Sequence, residues 1–136
     1  MKLTKETDYA LRLLQGLARR NALTGAPALA EEADVPLRFT LKILRKLSQG
    51  GLVCAKPGAA GGYILSEEPK NISLLKVFRL TEGALTVSRC LDIDYLCEHG
   101  LNRGPECDRC KFHLAFAKIN RELERMLDEV TLDQCL

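Results

Sequence analysis

Residues 34–65 read DVPLRFTLKILRKLSQGGLVCAKPGAAGGYIL, and this stretch decides the fold. Pro36 stands where a helix begins, because its fixed φ suits the first turn and its missing N–H is not needed there. Leu37 to Gln49 continue without Gly or Pro, and Gly50-Gly51 then supplies a left-handed helix stop. Leu52-Val53-Cys54-Ala55-Lys56 and Tyr63-Ile64-Leu65-Ser66 are short strand-like runs, with Pro57-Gly58-Ala59-Ala60-Gly61-Gly62 as a hairpin tip between them. Just upstream, Ala28–Ala33 reads as a short helix closed by the turn Asp34-Val35-Pro36. Helix, turn, helix and glycine-rich hairpin in this order predict a winged helix-turn-helix.

Working outward, Leu3–Arg20 is a further helix, since Tyr9, Leu13, Leu17 and Ala10, Leu14 recur at three- and four-residue spacing, with Thr4 or Thr7 as cap. After the wing, Ser73 caps a helix from Leu74 to about Thr81 that stops at Gly83. From Ala84 to Lys111 the periodicity dissolves into a stretch rich in Cys, Gly, Asp and Pro. Phe112, Phe116, Ile119, Leu123, Met126 and Val130 then repeat at alternating spacings of four and three, an a/d stripe of the kind that pairs helices. The helix's other face is charged, which favours pairing across chains over packing on its own domain. The expected architecture is mainly α: a winged helix-turn-helix over residues 1–83, a cysteine-rich loop over 84–111, and a dimerisation helix and tail over 112–136.

The chain of 136 residues suits one domain with an appendage. Its N-terminus, MKLTKETDYALRLL, has charges every few residues and no apolar run, so neither a signal peptide nor a membrane span is expected and the cytoplasm is the expected location. Charge is unevenly spread: residues 1–62 carry ten Lys/Arg against five Asp/Glu, and residues 63–136 ten against thirteen. The front half is thus the basic one, a surplus that permits phosphate contact without demanding it and that a solvated surface would also carry. A helix-turn-helix places its second helix in the major groove of duplex DNA. Here Arg38, Phe39 and Thr40 occupy that helix's first turn, nearest the base edges, and Arg38 is the expected base contact. Lys42, Arg45 and Lys46 are within reach of phosphates, and Leu41, Ile43, Leu44 and Leu47 are assigned to the inward face. Lys56, Gly58 and Gly61 bring the wing to the adjacent minor groove. An enzyme is not expected. There is no nucleophile beside a base, no framed pair of carboxylates, and Gly58–Gly62 lies in a hairpin instead of opening a helix.

Cys90, Cys97, Cys107 and Cys110 form C-x6-C-x9-C-x2-C. In a reducing compartment clustered thiols bind metal more often than they form disulfides. Soft sulfur donors select zinc or iron-sulfur clusters, and the spacing does not choose between them; uncoordinated redox thiols are a third reading. His113 extends the series as Cys107-x2-Cys110-x2-His113, although a solvated histidine opening the last helix needs no such role. Cys54 and Cys135 are read as bystanders, the first buried as a small hydrophobe and the second exposed. Two rival functions follow: a regulator with structural zinc or free thiols, and an iron-sulfur carrier or electron-transfer protein.

Three further stretches carry a resemblance. Leu3-Thr4 with Thr7-Asp8-Tyr9-Ala10-Leu11-Arg12, the run from Lys42-Ile43-Leu44 to Gly51-Leu52-Val53, and Gly61-Gly62-Tyr63-Ile64-Leu65, followed by the cysteines, make the chain resemble the Rrf2 family of bacterial winged-helix transcriptional regulators (IscR/NsrR-like). The resemblance implies a homodimeric DNA-binding regulator, a repressor of promoters that include its own system's, that senses iron, redox state or nitric oxide through an iron-sulfur cluster. By that likeness Cys90, Cys97 and Cys107 are cluster ligands. Cys110 stands where IscR-like members have a histidine, and Asp8 where NsrR-like members take an aspartate from the partner subunit. Cys110 is therefore the preferred fourth ligand, with Asp8 and His113 in reserve and 2Fe-2S against 4Fe-4S undecided. The chain departs from the family in the wing, where Pro57 precedes Gly58 in place of an arginine and Lys56 is the nearest basic residue.

Overall fold

A computed structural model describes residues 2–98 and 107–136. Helix α1 (Lys5–Arg20) starts at Thr4, whose hydroxyl accepts from the Thr7 N–H, and stops at Asn21 in the left-handed conformation (φ 47°). Helix α2 (Ala26–Ala33) has Pro27 in its first turn and ends at Asp34, also left-handed (φ 53°). Helix α3 (Leu37–Gln49) occupies the span that Pro36 and Gly50-Gly51 bracket. Its buried side chains are Thr40, Ile43, Leu44 and Leu47, a stripe at i, i+3, i+4 and i+7. Here the sequence reading is corrected. Leu41 is 46% exposed and Thr40 is wholly buried in its stead. Thr40 is tolerated inside because its hydroxyl donates to the Val35 and Pro36 carbonyls.

Strands β1 (Val53–Lys56) and β2 (Gly62–Leu65) pair antiparallel, from Val53 opposite Leu65 to Lys56 opposite Gly62. Tyr63 also exchanges backbone hydrogen bonds of 2.8 and 2.9 Å with Thr24, so the loop between α1 and α2 forms a third edge against the wing. That approach demands glycine: a Cβ on Gly62 would lie 2.6 Å from the Thr24 carbonyl, and one on Gly61 would lie 2.1 Å from the Lys56 oxygen. Strand alternation turns Val53 inward and Cys54 outward. Cys54 is therefore exposed, against expectation, with its Sγ 3.2 Å from the Ser66 hydroxyl.

Helix α4 (Leu74–Thr81) is capped by Ser73, whose hydroxyl accepts from the Lys76 N–H and donates to the Asp128 carboxylate. Asp128 belongs to α5 (Lys111–Glu129), which packs on α4. The residues after α5 turn back into the first core. Leu132 is 2% exposed and joins the cluster of Leu13, Leu14, Ile43, Leu44 and Ile72. Backbone bonds from Leu132 to Ile72 and from Leu74 to Val130, with Gln15 Nε2 donating to the Cys135 carbonyl, hold it there. The tail of segment 112–136 is thus built into the core of segment 1–83. Among the described residues, no helix is long and apolar enough to cross a membrane.

Glu82, just past α4, closes the N-terminus of α1. Its carboxylate accepts from the Thr4 N–H (3.1 Å), the Thr4 hydroxyl (2.7 Å) and the Thr7 hydroxyl (2.5 Å). The positive end of the α1 dipole adds to this attraction. The hydroxyls of Thr4 and then Thr7 hold the Glu82 carboxyl below the usual carboxylate range. A carboxyl depressed in the folded state stabilises the fold above its unfolded pKa, and that contribution fades as pH falls through the folded value. Glu82→Gln is therefore expected to lower the melting temperature at neutral pH, with the difference from wild type shrinking below about pH 4; thermal denaturation at a series of pH values measures it.

Candidate nucleic-acid interface and cysteine segment

Helix α3 carries Arg38, Lys42, Arg45 and Lys46 and no carboxylate. Lys46 is committed to the body of the protein, since its ammonium pairs with Glu6 of α1. Among the described residues, Arg38, Lys42 and Arg45 pair with no carboxylate, nor does Lys56 at the end of β1. All four side chains are exposed. The Arg38 guanidinium lies 4.8 Å from the centre of the Phe39 ring, and that ring is 6.2 Å from Tyr9 of α1. A cation over an aromatic face is attracted to it and restricted in orientation. Phe39 thereby steadies Arg38, and Tyr9 and Phe39 line a cleft of about 180 Å³ together with Lys5, Glu6, Lys42 and Ile43. The contact of Tyr9 with Phe39 was not visible in the sequence, where Tyr9 appears as an apolar position of α1 and as part of the stretch that carries the resemblance.

Of the first-turn residues, Arg38 and Phe39 face outward and Thr40 does not. Its side chain is inside, so it leaves the set that can meet a base edge. In the wing, Gly58 sits at the exposed tip with φ +102°, and its carbonyl accepts from the Gly61 N–H at 3.0 Å. Gly61 is half-buried at the base, below Lys56. The wing therefore presents Lys56 and the backbone from Pro57 to Ala60.

The segment after Glu82 runs beside α5. The Val87 N–H donates to the Asn120 side-chain oxygen at 2.9 Å, and the single 3₁₀ turn Arg89–Leu91 packs on the same helix. Cys90 lies in that turn with its Sγ 3.2 Å from the Ser88 hydroxyl. Cys97, Cys107 and Cys110 are half-buried like Cys90, and Cys110 immediately precedes α5. His99 lies outside the described residues. His113, read as either a reserve ligand or a solvated residue, is 1% exposed and is the one buried residue of α5, so the solvated reading is corrected. Asp8 forms an ion pair with Arg12 one turn along α1, 3.1 Å apart. Among the described residues, no three His, Cys, Asp or Glu side chains gather as a metal site. By chemistry the donor set suits a soft metal or an iron-sulfur cluster: four thiols, none fully exposed, within one short segment.

The stripe foreseen on α5 is uncovered. Phe112 is 76% exposed, Ile119 53% and Met126 57%, with Phe116 also exposed and Leu123 and Val130 half-buried. Val87, Ala115, Ile119, Leu123 and Met126 line an open apolar groove of about 650 Å³ along it. A contiguous apolar surface of this kind marks an interaction site.

Comparison with known proteins bears on both surfaces. A sequence profile of the Rrf2 family, described as an iron-dependent transcriptional regulator, matches residues 3–136. The chain is 31% identical over 134 residues to Protein aau3 of Rhizobium meliloti, covering 98% of this chain and 83% of that protein. It is 35% identical over 94 residues to the HTH-type transcriptional regulator NsrR of Bacillus subtilis, covering 68% of this chain and 64% of that one. Among solved structures, CymR (YrzC), the global cysteine regulator of B. subtilis, superposes with a TM-score of 0.76 at 22% identity, over 98% of this chain and 94% of CymR.

Proposed function

The chain belongs to the Rrf2 family of transcriptional regulators, and from that premise we propose that it binds operator DNA as a homodimer, acts in the cytoplasm as a repressor, and is switched by an iron-sulfur cluster. The observation that carries the DNA half is the exposed face of α3, where Arg38, Lys42 and Arg45 stand without a carboxylate beside the wing's Lys56. Arg38, steadied by Phe39, reads a base through its paired N–H donors, and Lys42, Arg45 and Lys56 contact phosphates. The uncovered stripe of α5, Phe112, Phe116, Ile119, Leu123, Met126 and Val130, seats the second subunit.

Cys90, Cys97 and Cys107 hold the cluster, with Cys110 as fourth ligand and Asp8 or His113 in reserve. When bound, the cluster supplies an iron centre sensitive to oxygen, nitric oxide or iron supply. The protein's own contacts couple that segment to the reading head. Just before the segment Glu82 is tied to α1 through Thr4, near its start Val87 is tied to α5 through Asn120, and α1 is tied to α3 through Glu6 with Lys46 and Tyr9 with Phe39. A shift at Glu82 or Val87 therefore reaches both α5 and α3. A coupling of about 1–3 kcal/mol changes operator affinity about 5–150-fold.

Three measurements test this reading. Arg38→Ala is expected to cost roughly 1–3 kcal/mol of operator binding and relax sequence preference, while Arg45→Ala weakens all duplexes alike and lowers the salt slope by about one; equal effects of both on all sequences demote Arg38 to a phosphate contact. Ile119→Glu places a charge on the apolar stripe and is expected to give monomers in sedimentation, whereas an unchanged dimer would move the interface elsewhere. Protein purified without oxygen is expected to show visible absorption with iron and sulfide, lost in Cys97→Ala. Zinc without sulfide, or operator binding unaltered by removal of the cluster, would overturn the sensor reading.

A further inference from the structure

We propose that Leu41 is a specificity-determining residue that packs against the C5-methyl group of a thymine in each half-site. This deepens, and rests on, the placement of α3 in the major groove proposed above. Leu41 is 46% exposed on a helix whose inward stripe runs through Thr40, Ile43, Leu44 and Leu47. Three and four residues away, its neighbours on the helix surface are Arg38, Arg45 and Leu37, the last 45% exposed. A single exposed leucine is ordinary protein surface. This one is set among side chains that carry positive charge with no carboxylate on the whole helix, so the surface around it complements a polyanion. On the opposite flank Phe39 is occupied by Tyr9 and Arg38, and Lys46 by Glu6. That leaves the Leu37–Leu41 side as the apolar part of the reading face.

The major groove offers one apolar group, the methyl of thymine. A leucine placed there gains contact with that methyl. Against cytosine at the same position it would instead cover the N4 amino donor and leave it without a partner. Leu41 thus selects by attraction to one base and by an unsatisfied group on the other, the two elements that specificity combines.

The test uses duplexes selected from a random pool by the protein's own binding, with each thymine replaced in turn by uracil, which pairs identically but lacks the methyl. Wild-type protein is expected to lose about fourfold in affinity at one thymine per half-site, the worth of one buried methyl group. Leu41→Ala, a change at an exposed position whose fold is checked by thermal melting, is expected to show no loss at that thymine. Tolerance of uracil everywhere by wild type, or an undiminished loss in Leu41→Ala, overturns the proposal and leaves the groove placement of α3 intact. If neither protein binds any duplex with the steep salt dependence of phosphate contact, the placement of α3 fails and the proposal with it.

Discussion

The burial of one face of α1 is the constraint to which the other elements are fitted. Ala10, Leu13, Leu14 and Leu17 share a single cluster with Leu29 of α2, Ile43, Leu44 and Leu47 of α3, Val53 of the wing, Ile72 and Val77 around α4, and Leu132 of the tail. An aliphatic core packs at close to crystalline density, so displacement of one member is felt by its neighbours. The same helix supplies the polar contacts at the rim: Glu6 to Lys46, Tyr9 to Phe39, and Thr4 and Thr7 to Glu82. α1 consequently touches the reading helix on one side and the entrance to the cysteine segment on the other.

Charge is sorted by position and hardly by total. The net formal charge is only +2, yet α3 holds four cations, of which one is neutralised by Glu6. The acidic residues of α5 are engaged elsewhere: Glu122 and Glu129 with Arg125, Glu124 with Arg79, and Asp128 with Ser73. The exposed ion pairs among these contribute little to stability.

In the proposed dimer, α5 has two duties on two faces. One face meets α4 and is secured by the return of Leu132 to the core; the other bears the uncovered apolar stripe. Because α5 is fixed to the winged helix at both α4 and the tail, a rotation between paired α5 helices carries the two α3 helices with it. Half-site spacing is the quantity such a dimer reads, and Glu82 and Val87, bonded to α1 and α5, are placed to bias that spacing.

The elements themselves were legible from the chain, because their signals are local. Pro36 and Gly50-Gly51 bracket α3 to the residue, Thr4 and Ser73 cap α1 and α4, and the glycine-rich tip places both strands within one residue of the structure. The α5 stripe was legible for the same reason, being a periodicity within one segment. Which residues face inward depended on partners far away in sequence. The exchange of Thr40 for Leu41, the outward turn of Cys54 and the burial of His113 follow from where α1, the core and α4 lie, and no neighbour along the chain announces them. The bond between Thr4 and Glu82 joins residues 78 apart, and that between Gln15 and Cys135 residues 120 apart. The sequence by itself determined the helices, the wing and the candidate ligands, through backbone preferences that each short stretch carries. Tertiary structure alone decided which side chains α3 leaves exposed and how the tail ties α5 to the first core, because those depend on packing between segments that meet only when the chain is folded.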